Sequence, residues 1–333
     1  MKKILALLLA LWIPAAVLSG CVPQDDSAAS NKLNIVTTIF PAYDWVREIL
    51  GAETDRAEIT TLLDSGVDLH SYQPTVDDIV KISECDLFLY VGGESDGWVE
   101  DALKNAPNKD RKVIRLLDVL GDSAKAEETV EGMQEEEHDH EEEEHGHEEE
   151  AEYDEHIWLS LKNAQKLVAA ISEALQESDP ARKDTYDANA AAYAEKLSAL
   201  DGEYRAAVDS GKYKTLLFGD RFPFRYLADD YGLDYYAAFP GCSAETEASF
   251  ETVSFLAGKM DALGLPCVLT IEGTQHKIAE TIVQNTAQKN QQVLTMDSMQ
   301  AVTANDASSG VSYLSIMEKN LSVLKKALGQ VAE

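Results

Sequence analysis

The sequence predicts an α/β fold of two small parallel-sheet lobes joined by a long linking helix, with a ligand site in the cleft between them. Three observations carry this. Short apolar runs of strand length alternate with amphipathic helical stretches, which is the βαβ grammar of parallel sheets. The alternation stops in mid-chain and then starts again, so the pattern is read twice. Between the two readings lies an uninterrupted helical stretch long enough to reach from one domain to the next.

The first lobe is expected over residues 33–178. Leu33 to Ile39 reads as a strand, Ala42 to Leu50 as an amphipathic helix and Ala57 to Leu63 as the next strand. Thr75 caps a helix, with Asp78 three residues on as an approximate capping box. Leu87 to Val91 and Lys112 to Leu116 add two short strands bounded by turn residues such as Gly92-Gly93 and Asn108. Helical periodicity resumes at Ser160, and Asp179-Pro180 opens the linking helix, expected over residues 179–210. The second lobe, residues 211–333, runs strand Thr215 to Phe218, helix Phe224 to Tyr231, strand Leu233 to Phe239, helix Phe250 to Leu263, strand Cys267 to Ile271, helix His276 to Gln288 and strand Gln292 to Thr295. A last helix, Tyr313 to Leu328, is stopped by Gly329.

The start of the chain predicts export. Lys2 and Lys3 precede an apolar stretch from Ile4 to Val17, and Leu18-Ser19-Gly20-Cys21 has the form of a bacterial lipobox. Residues 1–20 are therefore read as a signal peptide and Cys21 as the lipidated first residue of the mature chain. The polar stretch to Lys32 is a tether, residues 21–32. The expected location is extracytoplasmic, lipid-anchored (palmitate) to the cell membrane.

The formal charge is −32, and 17 of the acidic residues fall between Glu127 and Glu155, where there is no Lys or Arg. The rest of the chain carries −15. Such a field repels nucleic acid, whose binding rests on cationic contacts to phosphate, and favours cations as partners. The acidic segment, residues 126–155, has no apolar face and cannot bury a core, so it is a solvated loop on the first lobe. Cys85, before the apolar run Leu87 to Val91, reads as a small buried residue. Cys242 and Cys267, both at strand ends in the second lobe, form a candidate disulfide pair.

The seven histidines are the most informative feature. His138, His140, His145 and His147 sit among the carboxylates of the acidic loop, a combination that chelates metal weakly and exchanges it fast. His70 follows the strand Ala57 to Leu63, in the kind of loop where parallel sheets build sites. His156 stands where the acidic loop returns to ordered chain.

Val67-Asp68-Leu69-His70-Ser71-Tyr72-Gln73-Pro74 and Asp154-Glu155-His156-Ile157-Trp158-Leu159 resemble the first-ligand and second-ligand segments of the zinc/manganese-binding receptors of ABC importers. The resemblance runs from about Lys32 to the C-terminus, and the His-rich acidic loop resembles that of the zinc-handling branch. It implies a metal held between two α/β lobes by His70 and His156. It implies a third ligand at the position of Arg221, which has no lone pair to offer. Asp220, with Arg221 pairing a site carboxylate, and His276, after the strand Cys267 to Ile271, are the two alternatives. The fourth ligand falls on Asp297, and Glu272 is read as supporting the site from behind.

Imidazoles with carboxylate and no thiolate suit Zn²⁺, with more carboxylate favouring Mn²⁺. Affinity is expected to fall as pH drops through histidine titration near about 6.5. The implied function is high-affinity capture of a divalent transition metal, Zn²⁺ first and Mn²⁺ as the alternative, by a monomer that delivers it to the membrane permease of an ABC importer. No His-Glu-x-x-His helix, Gly-x-Ser-x-Gly elbow or Walker loop is present, so the chain is not read as an enzyme. The competing readings are a surface adhesin with a structural metal and a secreted zinc-dependent hydrolase. The loop Phe239-Pro240-Gly241-Cys242-Ser243 on the cleft rim receives no role.

Overall fold

Four short parallel strands interspersed with helices recur in each half, and the chain folds them into two four-stranded sheets of identical order. The computed structural model describes residues 32–104, 106–134, 152–243, 247–273 and 276–330. The signal segment, the tether with Cys21, and His138, His140, His145 and His147 lie outside the described residues. Among the described residues no helix is long and apolar enough to cross a membrane.

The first sheet is built from β1 (Leu33–Thr37), β2 (Ala57–Thr61), β3 (Leu87–Tyr90) and β4 (Lys112–Arg115), in the order β2-β1-β3-β4, all parallel. Helices α1 (Phe40–Leu50), α2 (Val76–Glu84), α3 (Val99–Lys104) and α4 (Leu116–Leu120) connect and cover it. The capping box at Thr75 forms fully: its hydroxyl accepts the Asp78 N–H, and the Asp78 carboxylate accepts the Thr75 N–H. The central strand β3 is buried along most of its length and edge strand β4 alternates, as burial on two faces or one requires.

Helix α5 (Leu161–Ser178) leads through a 3₁₀ turn at Pro180 into α6 (Lys183–Ser210), a 28-residue helix that packs on α1 and α5 and also on the second half of the chain. The linking helix thus starts four residues later than expected, because the ring of Pro180 sets a separate 3₁₀ turn before it.

The second sheet repeats the first: β5 (Thr215–Arg221), β6 (Asp234–Phe239), β7 (Cys267–Thr270) and β8 (Gln292–Thr295) in the order β6-β5-β7-β8, again parallel. Helices α7 (Arg225–Tyr231), α8 (Phe250–Leu263), α9 (Lys277–Asn285) and α10 (Ala304–Ser308) accompany it. The last helix, α11 (Tyr313–Ala327), returns to the first half and packs against α1 and α6. Its first residue is bound twice there. The Tyr313 N–H donates to Asp44 Oδ2 at 2.9 Å, the ring meets Trp45 edge-on with centroids 5.2 Å apart, and the hydroxyl donates to the Trp158 carbonyl at 2.7 Å. The Asp68–Arg221 ion pair joins the loop after β2 to the end of β5, so the carboxyl ends of the two sheets face one cleft, which is where open α/β sheets bind ligands.

Candidate metal centre

Two histidines from separate stretches of the first lobe meet in that cleft. His70 comes from the loop after β2, where Asp68 caps a 3₁₀ turn by accepting the His70 N–H at 3.0 Å. His156 caps the 3₁₀ turn Ile157–Leu159, and Asp154 accepts its N–H at 2.8 Å. That second turn is anchored from within: Trp158 donates its indole N–H to the Ser298 carbonyl at 2.8 Å. Both imidazoles are buried, with 6% of the His70 side chain and none of the His156 side chain exposed.

The two Nε2 atoms face each other at 3.2 Å. Each ring has its other nitrogen engaged. His70 Nδ1 lies 2.9 Å from Ser95 Oγ and 3.4 Å from Glu155 Oε2, and His156 Nδ1 lies 3.1 Å from Asp154 Oδ1. A carboxylate behind Nδ1 keeps the proton on that atom and leaves the Nε2 lone pair free, which is the tautomer a metal takes. Glu155 Oε2 is buried and accepts no hydrogen bond, so it is available to a His70 Nδ1–H. The spacing fits as well. Two nitrogens about 2.05 Å from a tetrahedral Zn²⁺ stand about 3.3 Å apart.

Electrostatics keep His70 neutral. Burial, and then the adjacent His156, push His70 down to about 3. Burial raises Glu155. Burial works against the Asp68 carboxylate too, but the Arg221 guanidinium bonded to it holds it below the usual range. The Asp68–Arg221 ion pair crosses the cleft from the loop after β2 to the end of β5, and Arg221 also donates to the Ser243 carbonyl at 3.2 Å.

Two glycines make the site possible. A Cβ on Gly93 would lie 2.0 Å from Glu155 Oε1, and one on Gly241 would lie 2.9 Å from the Phe222 carbonyl and 3.2 Å from His156 Nδ1. The bare backbone of Gly241 lets the loop after β6 press against His156, which brings in a residue that sequence reasoning left out. Cys242, His70 and His156 each offer one ligand atom, all within 4.8 Å of one another; among the described residues this is the one such group of three.

The other sequence candidates are not in that group. Asp220 accepts backbone N–H groups from Arg221 at 2.9 Å and Ile271 at 3.3 Å, one on each oxygen, which ties it to the end of β5 and the residue after β7. His276 caps α9 beside Asp220, its Nδ1 buried without a hydrogen bond. Asp297 accepts the Met299 N–H at 2.8 Å in a tight turn where Met299 takes φ 67, and burial followed by Glu272 raises it to about 6. Glu272 is consumed by Ser298, Gln300 and Ala301. Cys242 and Cys267 are both free thiols, which removes the candidate disulfide: Cys242 faces the histidines and Cys267 is buried in β7. Cys242 could have been sought from topology. It follows β6, the strand that occupies in the second sheet the place β2 holds in the first, and β2 is the strand that leads to His70.

Two α/β lobes with side chains of metal-binding type gathered at their facing strand ends have the build of a solute-binding receptor. Residues 35–327 match the model of the family described as zinc-uptake complex component A, periplasmic (ZnuA), and the chain belongs to that family. It is 33% identical over 330 residues to the zinc-binding lipoprotein AdcA of Streptococcus pneumoniae, an alignment covering 99% of this chain and 62% of AdcA. The chain thus spans less than two thirds of that relative. It is 30% identical over 298 residues to the high-affinity zinc uptake system protein ZnuA of Bacillus subtilis, covering 90% of this chain and 88% of that one. Among solved structures, the Zn(II)-bound ZnuA-like domain of S. pneumoniae AdcA superposes with a TM-score of 0.69 at 29% identity, covering 90% of this chain and 100% of that domain.

Proposed function

We propose that the chain captures a divalent transition metal, Zn²⁺ before Mn²⁺, outside the cytoplasm and delivers it to the membrane permease of an ABC importer. The observation that carries this reading is the pair of Nε2 atoms 3.2 Å apart, each on a ring whose Nδ1 is backed by a carboxylate. Relatives named for zinc binding and zinc uptake support it. In this reading His70 and His156 grip the ion, Asp154 and Glu155 orient them, and the Asp68–Arg221 pair helps to close the lobes over it. Release follows when docking on the permease parts the lobes and separates the ligands. The His-rich acidic segment gathers metal, Cys21 carries the lipid anchor, and the receptor works as a monomer without catalysing a reaction.

The test is calorimetric titration of the chain with Zn²⁺, alongside His70→Ala and His156→Ala. The expected result is one tight site, superimposed on weak binding by the acidic loop and lost in either variant. A tight site that survives both substitutions would overturn the proposal.

A further inference from the structure

We infer that the thiol of Cys242 is a metal ligand, and that this His₂Cys set, contributed by both lobes, selects borderline and soft divalent ions such as Zn²⁺ over Mn²⁺. The inference rests on the metal-capture reading above and adds to it the chemical class of ion the site accepts.

The cysteine is held in place. Its backbone N–H donates to Glu127 Oε1 at 2.8 Å, at the root of the acidic loop, whose two limbs are joined by the Ala126–Tyr153 bridge. Gly241, for want of a side chain, lets the loop lie against His156. Sulfur and ring nitrogen about 2.3 and 2.05 Å from a tetrahedral ion stand about 3.6 Å apart. The sulfur here lies within 4.8 Å of a ring nitrogen on each histidine, so a shift of about 1 Å completes the site. Arg221, which also reaches across from the second lobe, is a permanent cation bonded to Asp68 and cannot ligate. When the ion binds, Sγ exchanges its proton for the metal and the proton leaves to solvent, so the thiolate is the bound form. A thiolate is a poor ligand for Mn²⁺, which prefers carboxylate, carbonyl and water oxygens, and a good one for Zn²⁺.

The experiment uses the full chain, with cobalt(II) chloride alone as a spectroscopic probe and zinc and manganese chlorides in competition. The acidic loop contains no cysteine, so a thiolate-to-cobalt charge-transfer band in the near ultraviolet reports a sulfur ligand. The expected result is such a band in the wild-type protein, displaced by one equivalent of Zn²⁺ and absent in Cys242→Ser. That variant should bind Zn²⁺ at least about 100-fold more weakly, more than loss of an orienting group alone produces. Cys242→Asp, which supplies an oxygen ligand instead, should narrow the preference for Zn²⁺ over Mn²⁺ by about tenfold or more. Tight zinc binding that depends on His70 and His156, with no charge-transfer band in the wild-type protein, would overturn the thiolate assignment and leave the capture reading standing. Loss of zinc binding in the wild-type protein would sink both.

Discussion

His70 makes the stability of the metal-free protein depend on pH in a way that can be worked out and measured. In an unfolded chain its imidazole protonates near about 6.5. In the folded, metal-free site burial and the neighbouring His156 push it down to about 3. The unfolded state therefore takes up a proton that the native state refuses, and stability attributable to this residue falls as pH drops below the unfolded value, levelling off below about 3. At about pH 5 the loss is about 2 kcal/mol, and at its acid limit it approaches about 5 kcal/mol. Carboxylates raised by burial act in the opposite sense, Asp44 and Asp297 to about 6 and Asp96 to about 7, so the whole-protein profile hides the effect. Comparison with His70→Gln, which is neutral at every pH, cancels them. In urea titrations of chelator-treated protein, wild-type stability minus variant stability should fall by about 2 kcal/mol between about pH 7.5 and about pH 5. A difference that stays constant across that interval would mean that His70 takes up a proton as readily in the folded chain as in the unfolded one. The neutral, inward-facing imidazole would then be wrong.

Three further changes probe the groups around the histidines. Asp154→Asn removes the carboxylate behind His156 Nδ1 and should weaken Zn²⁺ by about 10- to 100-fold in calorimetric titration, with the fold intact by circular dichroism. Gly241→Ala drives a methyl toward the Phe222 carbonyl and the His156 ring, so thermal unfolding should show a loss of about 1–3 kcal/mol together with weaker metal binding. Arg221→Met leaves the Asp68 carboxylate without its partner. With the two side chains 15% and 25% exposed, the cost should fall short of a fully buried pair, at about 1–3 kcal/mol by urea denaturation.

How much of this was legible before the structure differs by residue. The strands and most helices announced themselves because parallel strands buried on both faces are unbroken apolar runs, and the turns between them carry Gly, Pro and Asp. Short helices such as α3 and α10 were missed: at six and five residues they are too brief to show a period. His70 and His156 could be picked out because one follows a parallel strand, the other stands where the acidic loop returns to ordered chain, and both segments resemble a known family; the Asp two residues before each turns out to accept its backbone N–H. Asp220 and Asp297 looked equally suitable, yet neither stands in the group that joins His70 and His156; each accepts backbone N–H in its own turn, and no spacing rule reveals which way a carboxylate is turned. Cys242 escaped for a related reason. Its nearness to the histidines depends on the missing Cβ of Gly241 and on a hydrogen bond to Glu127, 115 residues earlier, neither of which leaves a local mark.

The bond between Asp44 and the start of the last helix joins residues 269 positions apart. During synthesis, Trp45 and Trp158 are made long before Tyr313, so the interior of the first lobe lacks a wall until α11 has been made. Contacts this distant in sequence form slowly, because the intervening chain must be ordered before they repay its entropy. A nascent chain of this design stays loose while it is being made, which suits a protein read as exported, and it acquires its receptor shape only once its C-terminal helix has arrived.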